Sequence, residues 1–355
     1  MAAVNGTALV GAPINVTGAL FNKTRVDTPL FNMIRRNSQA SRTFVTGAAF
    51  DTGYPNAAVN GISETASLTA PDPQFWARTN AYNVTQIFQR SLAVSYRKLA
   101  NTADLNQYGV NSPSPIALTG LTNNVPNELA FQIANCMDSI RMDLEYTILN
   151  GTFVDGGGAS GTADQTRGLI EAISTNTINA ASSELSYDLI YELAQTIMLS
   201  GTPFSLDSYI CVLNYEQFKQ LQKVVADEGL KISPENAGAN ITSVITPFGV
   251  MRFMPHRFCP NGTAVLACVP ILGNVFQETP GKGNFFFEPL AKTGAADKGQ
   301  VFGMWGLDHG NEWMHAKITG LSTTTEAFTA PKRFIVNYPS VSAQAADGGS
   351  GSGSG

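Results

Sequence analysis

Along residues 126–149 the apolar positions Leu129, Ile133, Met137, Ile140, Leu144 and Ile148 recur at spacings of three and four. That period puts them in one stripe and predicts an amphipathic helix. Pro126 suits its first turn, and Glu128 suits the positive end of its dipole. At 1.5 Å per residue it would be roughly 35 Å long. Asn135, Asp138, Arg141 and Glu145 lie off the stripe and read as a solvated face. A second helix is predicted from Ser186, an N-cap, through Leu189, Leu193 and Ile197 to Gly201. A third begins at Asn214, with Gln217 placed for a capping box, uses Phe218, Leu221 and Val225, and stops at Gly229.

Period-two alternation marks the strands. Residues 42–50 and 83–98 each read as one, and in the second Phe88, Leu92, Val94 and Tyr96 share a face opposite Gln89, Ser91, Ser95 and Arg97. Between them lie more than thirty residues rich in Gly, Pro, Asn, Ser and Thr, ending near Phe75-Trp76. A connection of that length in a compact domain is usually functional or disordered. Later strands are predicted within SYICVLN, SVITPFGVMRFMPH, AVLACVPIL, NFFFEPLA and QVFGMWGLD. Helices and antiparallel strands interleave without a βαβ rhythm, which predicts the α+β class.

Residues 1–28 have no periodicity and read as an extended arm. The arm ends in Thr28-Pro29-Leu30-Phe31-Asn32-Met33-Ile34, an apolar plug in need of a docking site, followed by Arg35 and Arg36. The Gly/Ser tail, residues 341–355, has the composition of a flexible linker and is set aside.

Composition narrows the function classes. The 355 residues are 43% hydrophobic, enough for a real core and too apolar for a disordered chain. Only 14% are charged, against about a quarter in an average domain, which suits either a neutral surface buried against neighbours or, equally on composition alone, an ordinary low-charge soluble protein. The net charge of −5 argues against a broad basic face for coating nucleic acid. Residues 1–43 nevertheless carry Lys23, Arg25, Arg35, Arg36 and Arg42 against Asp27 alone, so a basic arm precedes an acidic body. No apolar run reaches the roughly 18–20 residues that cross a bilayer, and no signal-peptide pattern opens the chain, so no membrane association is expected.

Candidate chemistry is sparse. Gly156, Gly158 and Gly161 satisfy GxGxxG, but a helix precedes them and a Ser/Thr loop follows, the reverse of a dinucleotide site. His309 to His315 is the densest cluster of metal-ligating types; with Gly310-Asn311 as a hairpin turn, Glu312 and His315 would point to opposite faces. Cys136, Cys211, Cys259 and Cys268 lack metal or redox spacing. Were Asn261-Gly262 a hairpin turn, Cys259 and Cys268 would stand on the order of 13 Å apart, so all four read as reduced, mostly buried thiols. No catalytic residue, cofactor or metal is expected.

The order of these pieces resembles the major capsid proteins of tailed phages with the Hong Kong 97-type fold. Four stretches carry the likeness: Thr28 to Ile34; Asn83 to Arg97, similar to the returning strand of the family's extended loop; Asn127 to Thr152, similar to its spine helix; and Pro289 to Leu321, similar to the closing strands of its peripheral domain. The resemblance implies an N-terminal arm over 1–42, an extended loop over 43–98 and a peripheral domain from 99–185 with 286–340. Residues 186–285 would then be a mixed α/β axial domain. It further implies a non-enzymatic shell subunit, assembled in the host cytoplasm into pentamers and hexamers around double-stranded DNA held without sequence specificity. A scaffold, a portal and decoration proteins are candidate partners. The neighbouring alternative is an encapsulin-type compartment enclosing cargo enzymes, in which a short helix replaces the long arm. No lysine occurs between Lys23 and Lys98, so the founding member's cross-link through a lysine of the loop is not expected. Phe75 and Trp76 are the first candidates for inter-subunit anchors, with packing on their own subunit the equal alternative. Leu30, Phe31 and Ile34 are the second, together with Arg35 and Arg36.

Overall fold

The computed structural model describes residues 26–50, 63–70, 78–97, 99, 128–157, 161–227, 232–234, 242–292 and 294–323. Its helices are α1 (Pro29–Met33), α2 (Glu64–Ser67), α3 (Glu128–Asn150), α4 (Leu169–Ala172), α5 (Tyr187–Leu199) and α6 (Tyr215–Asp227). The strands begin with β1 (Arg35–Gln39), β2 (Thr43–Phe50), β3 (Arg78–Val84), β4 (Gln86–Ser95) and β5 (Thr177–Asn179). There follow β6 (Tyr209–Leu213), β7 (Ile232–Pro234), β8 (Thr242–Thr246), β9 (Gly249–Pro255) and β10 (Ala264–Cys268). The last are β11 (Gly273–Gln277), β12 (Phe285–Pro289), β13 (Ala296–Asp308) and β14 (Ala316–Thr319).

Two mixed sheets organise the body. The larger runs β5-β14-β10-β6-β9-β8-β7. Its central strands β6 and β10 are buried at every position, as their unbroken apolar runs require. Alternation then sorts their side chains between two cores. Tyr209, Cys211, Leu213, Ala264, Leu266 and Cys268 join Ile190, Leu193, Ile197 and Leu221 from α5 and α6. Ile210, Val212, Val265 and Ala267 face the other way, onto Ile140, Leu144 and Ile148 of α3. The second core is closed by the smaller sheet, in which β13 pairs with β11 and β12 along one edge and with ten residues of β4 along the other. Trp305 at its centre is wholly buried.

The predicted helices form, and Ser186 caps α5 by accepting the amide of Leu189. Four local expectations are corrected by contacts distant in sequence. The strand over 83–98 breaks at Thr85, whose amide donates to the Arg42 carbonyl. Only residues up to Val84 pair with β2, while β4 belongs to the smaller sheet. Gln217 forms no capping box; its amide donates to the Ser322 carbonyl instead. Asn261-Gly262 is no hairpin turn, because β6 lies between β9 and β10. Gly310-Asn311 leads into a 3₁₀ turn over Glu312–Met314 and carries the chain from one sheet to the other, so β13 and β14 are not paired. Within the range given to the arm, Pro29–Met33 form a helical turn and Arg35–Gln39 a strand, β1, that pairs parallel to β11. The thiols Cys211, Cys259 and Cys268 are buried and Cys136 half-buried, all unpaired. Burial pushes Cys211 up and Cys259 up to about 12, which makes them poor nucleophiles.

Candidate assembly surfaces

Three features stand out: the docked N-terminal turn, the β2–β3 ribbon, and the ribbon's root on the body. Pro29 at the first helical position fits its fixed φ, and the turn places Leu30 and Ile34 inward at 1% and 3% exposure. Their docking site is within the same chain, in the core beneath α3. Leu30 and Ile34, expected as contacts to a neighbouring copy, thus pack within their own chain. Phe31 packs edge-on against Phe276 at the core's margin, with the Arg36 guanidinium 5.6 Å from its ring centre. Arg35 pairs with Asp308 at 3.0 Å. Phe75 and Trp76 lie outside the described residues, as do residues 1–25 of the arm.

The most consequential side chain here is one that sequence pattern put in solvent. Glu145 of α3 is wholly buried. Its Oε1 accepts from the Leu30 amide at 2.9 Å and its Oε2 from the Phe31 amide at 2.8 Å. His256, just after β9, places Nε2 2.7 Å from Oε1. The other ring nitrogen, Nδ1, accepts from the Phe258 amide, so the Nε2 proton points at the carboxylate. One carboxylate thus joins the N-terminal turn, the long helix and the larger sheet. The only sequence sign was a carboxylate beside an otherwise apolar stripe.

The ribbon forms a sheet of its own, in which β2 and β3 pair antiparallel with an irregularity between Val45 and Gly47. All of Arg78 to Tyr82 is exposed, and Val45, Phe50 and Tyr82 show 59%, 67% and 49% of their surface. Its root is held tightly. Phe44 and Val84 close over Gly306, where a Cβ would come within 2.8 Å of the Phe44 ring and 2.9 Å of the Val84 carbonyl. Asn83, fully buried, donates to the carbonyls of Leu307 and Arg167 and accepts the amides of Val84 and Arg167. Thr46 Oγ1 donates to Asp308 and accepts the His309 amide.

The histidine cluster forms no metal site. Among the described residues no group of three His, Cys, Asp or Glu could hold an ion. His315 accepts the Cys268 amide and donates to the His309 carbonyl. Glu312 accepts the amides of Ser174 and Thr175. Burial, the largest cause in both, pushes His309 and His315 down to about 4. The unfolded chain therefore takes up protons near pH 6.5 that the folded chain refuses until about 4, and folding stability falls as pH drops through that window. Each histidine contributes a slope of at most ~1.4 kcal/mol per pH unit. Urea midpoints between pH 7 and 4 are expected to fall, and less steeply in a His315→Gln variant.

A long helix under a core shared by two mixed sheets, with a projecting ribbon and a docked N-terminal turn, defines a capsid subunit of the Hong Kong 97 type. Solved structures agree. The cyanophage A-1(L) capsid aligns with TM-score 0.57 at 12% identity, over 86% of this chain and 95% of that one. The capsid of a native GTA particle gives 0.53 at 10%, over 90% and 97%. The SrpI encapsulin of Synechococcus elongatus gives 0.55 at 11%, over 90% and 95%, so fold alone does not separate phage shell from compartment. No curated protein matches in sequence. The family model for the SU10 major capsid protein matches residues 3–322, and the chain belongs to that family. It is the major capsid protein of a phage, a structural protein of the virion.

Proposed function

We propose that the chain assembles, in the host cytoplasm, into pentamers and hexamers of a closed icosahedral shell around double-stranded DNA. The observation that carries this reading is the ribbon, which exposes Val45, Phe50 and Tyr82 on a scaffold that its root holds firmly. Exposed apolar residues on a projecting element mark a contact with another molecule. In a shell that molecule is the next subunit, and the ribbon serves as the extended loop. The parts around it are assigned as an arm over 1–42, a peripheral domain from 99–185 with 286–340, and an axial domain over 186–285. The larger sheet takes β5 and β14 from the ranges assigned to the peripheral domain, so one sheet runs through both assigned domains. An acidic body, in a chain whose net charge is −5 even with its basic arm, faces packaged DNA without adhering to it. Phe31, Arg35 and Arg36 are assigned as contacts to neighbours, and so are Phe75 and Trp76 near the loop.

The test is electron microscopy of the protein expressed alone, with absorbance of the particles at 260 and 280 nm. Closed shells or five- and six-membered rings are the expected result. Purified shells filled with protein cargo and devoid of nucleic acid would favour a compartment instead. A Val45→Ser, Phe50→Ser double variant is expected to stay as stable as wild type within about 0.5 kcal/mol, since both side chains are exposed. It should nevertheless lose closed particles; undiminished assembly would count against the ribbon as the contact.

A further inference from the structure

We infer that Arg42 is a positioning residue that sets the angle of the ribbon on the body, and with it the curvature of the assembled shell. The inference rests on the ribbon reaching a neighbouring subunit. Arg42 occupies the crotch from which both strands leave. Its carbonyl accepts the Thr85 amide at 2.9 Å and the Thr85 hydroxyl at 3.3 Å, which closes the ribbon where β3 passes into β4. Its side chain turns the other way. Nη1 donates to Asp155 Oδ1 at 2.7 Å and to Asp164 Oδ1 at 2.9 Å.

Both carboxylates are themselves fixed. Asp155 accepts the Gly157 amide and Asp164 the Gly156 amide, and Val154 and Gln165 bridge the two sides of that loop. The loop leaves the C-terminal end of α3, so the guanidinium ties the ribbon's origin to the long helix. The other root contacts differ in kind. Phe44, Thr46 and Asn83 are buried and hold the strands in the fold. Arg42 keeps 30% of its side chain in solvent, which makes it a brace across the joint and not part of the core. Leverage gives the brace its importance. Eight extended residues span about 26 Å, so a 10° tilt at the root moves the far end of β2 by roughly 5 Å. That displacement is the width of a strand spacing, enough to misplace a contact on the next subunit.

The test compares wild type with Arg42→Gln, Arg42→Lys and Asp155→Asn. In unassembled subunits a Cys136→Ala background carries spin labels at Ala48→Cys on the ribbon and Ala134→Cys on α3. Arg42→Gln is expected to widen the label-to-label distance distribution at least twofold and to shift the melting temperature little. Its particles should spread in diameter or fail to close. Arg42→Lys, whose ammonium can serve both carboxylates, should restore both readouts in large part. An unchanged distance distribution would overturn the inference, and so would a widened one with shells as uniform as wild type. Should Arg42→Gln not fold, Asp155→Asn, which leaves one acceptor in place, decides by the same two readouts. A wild type that forms no particles would sink the shell reading, while the distance measurement would still judge the brace.

Discussion

Alanine at Glu145 is expected to cost roughly 3–5 kcal/mol of folding stability, because three donors lose their acceptor at about 1–3 kcal/mol each and relief of the buried carboxylate offsets part of this. The buried amide of Leu30 and the part-buried amide of Phe31 lose their acceptor, and the buried Nε2 proton of His256 is orphaned with them. Leaving buried donors unpaired is what makes the loss large; the Coulomb attraction to a neutral imidazole is not. Glutamine should recover part of the loss, because its one carbonyl oxygen can take the place of a single carboxylate oxygen. The effect should also be uneven. Hydrogen exchange in the alanine variant is expected to rise first over residues 28–39, since α1 carries the two amides that Glu145 accepts and β1 follows it directly. Protection of α1 unchanged from wild type would show that Leu30 and Ile34 hold the segment by apolar contact alone.

Trp305→Ala should be of similar size, roughly 3–5 kcal/mol for a large aromatic truncated in a core. The indole is wholly buried where β13 lies between β11 and β4, with its ring edge-on to Phe88 at 6.0 Å. Nε1 donates to Asn274 Oδ1 at 3.0 Å, and the same Asn274 donates to the Phe31 carbonyl. The cavity therefore opens beside the N-terminal turn. Trp305→Phe separates the two components of the loss, because it keeps much of the packing and leaves Asn274 Oδ1 without its donor. It should fall well short of the alanine loss in urea denaturation followed by circular dichroism. Equal losses would place the stability in the hydrogen bond and not in the ring.

Both positions bear on what sequence pattern can reveal. Trp305 lies in QVFGMWGLD, which the sequence marks as a strand, and burial of its large apolar ring agrees with that reading. Glu145 was not legible. On the helical wheel it falls off the apolar stripe, and off-stripe carboxylates are ordinarily solvated. It is buried because α1, more than a hundred residues away in sequence, covers that side of α3 and presents two free amides to it. Likewise Leu30, Phe31 and Ile34 read correctly as a plug in need of a site, but nothing in TPLFNMI states that the site lies on the same chain. The ribbon was half legible. β2 alternates as predicted, but its returning partner Arg78–Val84 begins five residues before the strand expected over 83–98 and does not alternate, since Arg78 to Tyr82 are all exposed.

By itself, then, the sequence determined what depends on neighbours a few residues apart. The stripe of α3, the Ser186 cap, the unbroken apolar runs of β6 and β10 and the alternation of β4 all follow from backbone period and side-chain transfer energy. The order of those elements sufficed for the class and for the resemblance to phage shell proteins. Tertiary structure decided which polar group meets which: Glu145 with two distant amides, Arg42 between Asp155 and Asp164, Gln217 with Ser322. It also decided which sheet each strand joins. The reason is physical. Burying apolar surface is non-directional and can be anticipated from composition and period, whereas a hydrogen bond or ion pair exists only when the fold brings its two ends within about 3 Å.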